Sequence, residues 1–176
     1  AVLALSIIGL IILNSRTAAK QNLINPQERW STLTAMPMAV KDAAVYEFDN
    51  QLFVIGGRDG QGVVGQNRAY DVMTKTWAAL PELPDPVSLS GYVKVGDRLY
   101  IIGGIDTAGK AIDAVQVYEP IVAAWSSAAA LPEPMFGTCT VAVQGKIYLI
   151  GGDSGDRKSD QIYEYNISPL VARSID

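Results

Sequence analysis

The sequence predicts an all-β chain of about three four-stranded antiparallel units, preceded by an N-terminal apolar helix. Three observations lead there. First, four kinds of marker recur every 47 or 48 residues. They are the diglycines Gly56-Gly57, Gly103-Gly104 and Gly151-Gly152, the tryptophans Trp30, Trp77 and Trp125, the tyrosines Tyr70, Tyr118 and Tyr165, and the pairs Met36-Pro37, Leu83-Pro84 and Leu131-Pro132. A fixed period of this length is the mark of a repeat architecture. Second, each diglycine follows two short apolar runs around a two-residue turn, the pattern of a β-hairpin. Third, 49% hydrophobic and 18% charged residues supply a core and exclude a disordered chain.

In chain order, Ala1 to Leu13 carries no charge. As a helix it reaches roughly 20 Å at about 1.5 Å per residue, short of the roughly 30 Å hydrocarbon core. Three readings stay open: a signal-peptide remnant, the end of a membrane anchor, or a buried element of something upstream. The first residue is Ala1 and not Met, so a fragment or processed product is expected. Residues 14–29 are polar, contain Asn25-Pro26 and read as a linker. The repeats follow over 30–176, in units of about 30–76, 77–124 and 125–172.

Within each unit the hairpins span 45–57, 92–104 and 140–152, with turns at Asp49-Asn50, Gly96-Asp97 and Gln144-Gly145. Asn, Asp and Gly tolerate the positive φ of tight hairpin turns. A polar loop and a third run come next, at 67–72, 114–119 and 161–166, then a fourth run at 76–80 and 123–128 around the tryptophan. With one further strand at Trp30, twelve strands are expected. Four antiparallel strands per repeat make a propeller blade, and closed propellers have typically 4–8 blades. The chain is therefore expected to form a partial propeller, its remaining blades lying in the same polypeptide or in a second copy.

The blade pattern resembles the kelch family: apolar residues then Gly-Gly, Tyr about fourteen residues on, Trp seven later, then an apolar-Pro turn. The resemblance covers about Trp30 to Tyr165. It implies that Gly56, Gly57, Tyr70, Trp77, Gly103, Gly104, Tyr118, Trp125, Gly151, Gly152 and Tyr165 are structural. Family blades often carry an arginine just after the apolar-Pro turn, which binds acidic ligands in several members. Val40, Val87 and Met135 stand in that neighbourhood here, and Ala172 stands where a tryptophan of the third repeat is due.

Chemistry is limited by composition. With no histidine, the Ser-His-Asp and Cys-His pairings and every His-ligated metal site are excluded. A net charge of −4 argues against nucleic acid. Cys139 is the only cysteine. No cofactor, metal site or catalytic residue is expected. Asp153, Asp156 and Asp160 lack the alternating ligand pattern of a calcium loop. Arg58-Asp59-Gly60 reads as turn chemistry, and Asn166-Ile167-Ser168 is a sequon followed by Pro169.

Antiparallel order puts the loops between strands 2 and 3, and those between blades, on one rim. Loops on a rigid scaffold are where binding residues concentrate. The candidate ligand-binding residues are Arg58, Asp59, Asp106, Lys110, Asp153, Asp156, Arg157 and Lys158. The expected function is non-catalytic binding of a protein, peptide or glycan by a membrane-anchored or secreted, extracytoplasmic protein. Two alternatives stand beside it: an enzyme resembling the family's sugar-acid epimerase, or a cytosolic kelch adaptor that presents a partner protein.

Overall fold

The computed structural model describes residues 29–167. The helix expected over residues 1–13, most of the linker, and Ala172 lie outside the described residues. The chain divides into two units, Ala1–Thr34 and Ala35–Asp176. In the described part of the first unit, residues 29–34, no strand forms, and Trp30 is 88% exposed. The strand expected at Trp30 is therefore corrected to irregular backbone. A fourth strand forms only on the edge of a third, and the described residues supply none before it.

The second unit holds eleven strands: β1 (Ala44–Phe48), β2 (Gln51–Ile55), β3 (Asn67–Asp71), β4 (Thr76–Ala79), β5 (Gly91–Val95), β6 (Arg98–Ile102), β7 (Val115–Glu119), β8 (Ala124–Ser127), β9 (Cys139–Val143), β10 (Lys146–Ile150) and β11 (Ile162–Asn166). They make two four-stranded sheets, β1-β2-β3-β4 and β5-β6-β7-β8, and a three-stranded sheet, β9-β10-β11. All neighbours are antiparallel. The all-β partial propeller read from the repeats is thus the observed architecture, with β5 packed between β1 and β9 on the inner side.

The hairpin turns follow their sequences. Asp49 and Asn50 both take positive φ (48° and 59°), as do Gln144 (50°) and Gly145 (73°), whereas at Gly96-Asp97 only the glycine does, at 57°. The first two are type I′ in character and the third is type II′-like, the twist that suits strand pairs.

Two apolar clusters fill the spaces between sheets. Ala44, Tyr46, Phe53 and Ile55 of the first sheet meet Leu99, Ile101 and Tyr118 of the second, with Leu83 and Val87 from the connecting loop. Tyr100, Ile102, Val115 and Val117 then meet Met135, Ile147 and Leu149. Side chains alternate across a strand, so β6 sends Leu99 and Ile101 one way and Tyr100 and Ile102 the other. That is why it reads as a continuous apolar run: both its faces are covered.

The diglycines join successive sheets. Gly57 N–H donates to the Val87 carbonyl at 2.8 Å, and Gly104 N–H to the Met135 carbonyl at 2.7 Å. A Cβ on Gly56, whose φ is +63°, would stand 2.5 Å from that Val87 oxygen. Glycine is required there for approach as well as for conformation.

Candidate functional site

The long-loop rim is built three times from one device. Each loop between the second and third strands of a sheet is bridged to the loop entering that sheet and to its own far end: Lys41–Arg58–Val63, Ser88–Ile105–Ala111 and Phe136–Asp153–Lys158. The loop tips close alike. Asp59 N–H donates to the Gly62 carbonyl (2.9 Å), Asp106 N–H to the Lys110 carbonyl (2.9 Å) and Ser154 N–H to the Arg157 carbonyl (3.0 Å).

Three of the candidate aspartates hold these tips. The Asp59 carboxylate accepts from the Gln61 and Gly62 N–H groups at 2.7 and 2.9 Å. Those two donors hold its carboxyl below the ordinary range. Asp106 accepts from the Ala108 and Lys110 N–H groups, both at 2.9 Å, and Asp153 from Gly155 at 2.8 Å. Local capping of this kind is what Asp does in turns.

Arg157 lies 3.6 Å from Glu133, whose other oxygen accepts from the Tyr163 hydroxyl at 2.7 Å. Arg58 is half-buried, with a buried Nε that makes no hydrogen bond. Lys110, Asp156 and Lys158 are exposed. The rim therefore displays a mixed set of charges, and the candidates do not converge on one pocket. Among the described residues no three metal-ligating side chains come together.

Sequence reasoning missed the polar straps between sheets. The Gln116 amide donates to the Asp85 carbonyl and accepts from the Asp85 N–H, both at 2.9 Å. Tyr163 and Glu133 occupy the same two positions one repeat later. The Trp125 indole donates to the Pro81 carbonyl at 2.9 Å and packs on the Tyr118 ring at 4.8 Å. The period would have aligned these positions, although not their side-chain partners. Val87 and Met135, where the family often has arginine, are buried core residues here.

The described strands, turns and rim can be set beside known proteins. The Kelch motif family matches residues 41–84 and 134–168. The chain carries kelch repeats. It is 30% identical over 106 residues to Kelch-like protein 35 of Mus musculus, covering 55% of this chain and 18% of that protein. It is 31% identical over 94 residues to Kelch-like protein terF of Aspergillus terreus, covering 48% and 20%. Kelch repeat and BTB domain-containing protein 2 of Ectromelia virus is 30% identical over 94 residues, covering 52% and 16%. The chain thus spans a fifth or less of the length of these relatives.

The expectation of a membrane-anchored or secreted, extracytoplasmic protein is corrected by this kinship. The matches are Kelch-like proteins and a kelch repeat and BTB domain-containing protein, and no exported or membrane-anchored protein is named among these relatives. Among the described residues no helix is long and apolar enough to cross a membrane.

Proposed function

We propose that these kelch repeats are a non-catalytic scaffold that presents a partner protein, the adaptor reading, and that the partner docks on the long-loop rim. The observation that carries this is the thrice-repeated loop device. Backbone bridges and aspartate caps fix each loop from within, while Lys110, Asp156, Arg157 and Lys158 stay exposed. Pre-ordered loops lose little entropy on binding, and mixed charge at a rim favours a protein surface of complementary pattern. Kinship with Kelch-like proteins supports the same reading.

The test compares two rims. Lys110→Glu with Lys158→Glu changes the long-loop rim, and Asp97→Lys changes the tight-hairpin rim. Quantitative co-purification is expected to lose specific partners with the first pair and keep them with the second. Equal retention by both variants rejects the long-loop rim as the docking face.

A further inference from the structure

We infer that the tight-hairpin rim of the first two sheets is a second docking face, and that its occupant is a basic amphipathic helix of a partner protein. This face lies opposite the long-loop rim and is independent of it. Two kinds of turn meet there: β1-β2 and β5-β6 on the inner side, β3-β4 and β7-β8 on the outer side.

The outer tips are apolar and exposed. Met73 is 78% exposed, and Ile121, 48 residues on, is 73% exposed; Val122 beside it is 63% exposed. Turn tips favour Gly, Pro, Asn, Asp and Ser, and none of these three residues packs on either apolar cluster. The fold therefore gives no reason for them. Both tips are also held rigid. The Asp71 carboxylate accepts from the Met73 and Thr74 N–H groups at 2.8 and 2.9 Å, and the Ala123 N–H donates to the Pro120 carbonyl at 3.2 Å. Lys75 and Ala123, again 48 apart, close the two tips with φ of 59° and 50°. Side chains on a fixed backbone lose less entropy on binding.

The inner turns supply charge of one sign. Each carries one exposed aspartate, Asp49 in the first sheet and Asp97 in the second. Among the described residues neither makes an ion pair. Glu47 and Glu119, on the same rim, are matched by Lys94 and Arg98 at 3.7 and 2.7 Å. Asp49, Asp71 and Asp97 then stand against Lys75, an acidic excess. Two successive sheets thus repeat one arrangement, an acid inside and an apolar side chain outside. A helix with an apolar stripe flanked by lysine or arginine matches both rows when laid across the two sheets. The acidic excess favours that cation-bearing partner and opposes an anionic lipid surface.

The experiment uses the full chain and two synthetic amphipathic helices, one with a leucine stripe flanked by lysines and one with glutamates in place of the lysines. The lysine peptide is expected to bind and to shift the backbone resonances of residues 72–74 and 120–123. The glutamate peptide should bind at least about tenfold more weakly. Met73→Ser with Ile121→Ser should weaken the lysine peptide at least about tenfold and leave the melt unchanged, as exposed sites do. Asp49→Asn with Asp97→Asn, which keeps residues that accept these turns, should weaken it and flatten its salt dependence. Lys110→Glu with Lys158→Glu should leave it unchanged, so this face and the long-loop rim fail or stand separately. Equal binding of the two peptides, or of neither, overturns the proposal, as does binding that ignores the tip substitutions. Vesicles of phosphatidylcholine and phosphatidylserine bound through the same tips would make lipid the occupant and overturn it. Self-association in sedimentation that is lost with Met73→Ser and Ile121→Ser would do so in favour of a second copy.

Discussion

Single side chains in this protein act mostly by holding backbone. Asp59 accepts two N–H groups in its loop, and Asp71 accepts from Met73 and Thr74 at 2.8 and 2.9 Å. Backbone donors hold both carboxyls below the ordinary 3.8. A carboxyl depressed in the folded state adds stability above its unfolded pKa and loses it as pH falls through the folded value. Carbon-detected titration should therefore place both midpoints below 3.8, with thermal stability declining as pH drops below about 4. Asp59→Asn keeps an acceptor for the same N–H groups and should flatten that decline; midpoints at or above the ordinary value would refute the capping role.

Trp125 gives a second test at this scale. Trp→Ala at a buried site costs roughly 3–5 kcal/mol. Trp125 is half-buried, so a loss of about 2 kcal/mol is expected. Trp125→Phe keeps the ring on Tyr118, loses the bond to Pro81 and should cost about 1 kcal/mol. Equilibrium denaturation separates the two, and equal losses would mean the hydrogen bond carries nothing. The sequence could name these residues because period and turn chemistry are local. It could not show that the aspartates face inward onto their own loops, nor that Gln116 meets Asp85 across 31 positions. Those partners depend on how one sheet stacks on the next.

Among the elements, the strand-ending diglycine shows how one motif takes different energies from its surroundings. Gly56, Gly103 and Gly151 share φ values of 63°, 60° and 64°. The first two lie under a carbonyl of the loop that follows, Val87 for Gly56 and Met135 for Gly103, whereas the nearest atom to a Cβ on Gly151 is 3.6 Å away. Gly151→Ala should cost about 1–2 kcal/mol, the penalty of left-handed backbone alone. Gly56→Ala and Gly103→Ala should cost about 3 kcal/mol or more, because the backbone must also move. Urea titrations of the three variants check the ranking, which a uniform loss would contradict. Hairpins, diglycines and the third and fourth runs were readable in the sequence because each is specified within about ten residues. The strand expected at Trp30 was not, because its formation rests on a neighbour and not on its own residues.

At the scale of the whole repeat array, burial tells which face of each sheet has a neighbour. Ile102 and Val115 are 4% and 5% exposed, and Val93 and Val95 pack on the same core. Their counterparts one repeat later are Ile150, Ile162, Val141 and Val143, at 43%, 64%, 45% and 48% exposure. The register puts Ile150 opposite Ile162, and β9 sets Val141 beside Tyr148 on that face. The third sheet thus offers the face that the second sheet covers with its successor. An apolar surface of this kind marks an interaction site or an aggregation hazard. If it is open in solution, Val141→Lys with Ile162→Lys should leave unfolding free energy within about 0.5 kcal/mol per site, as surface changes do. The pair should also lower the binding of a hydrophobic dye. Ile102→Lys, the same chemistry on the covered face, should cost about 3–5 kcal/mol, because it buries an unpaired charge. If the paired substitution on the third sheet destabilises the fold as much as Ile102→Lys does, the face is covered in solution, and an open flank is the wrong description of this array.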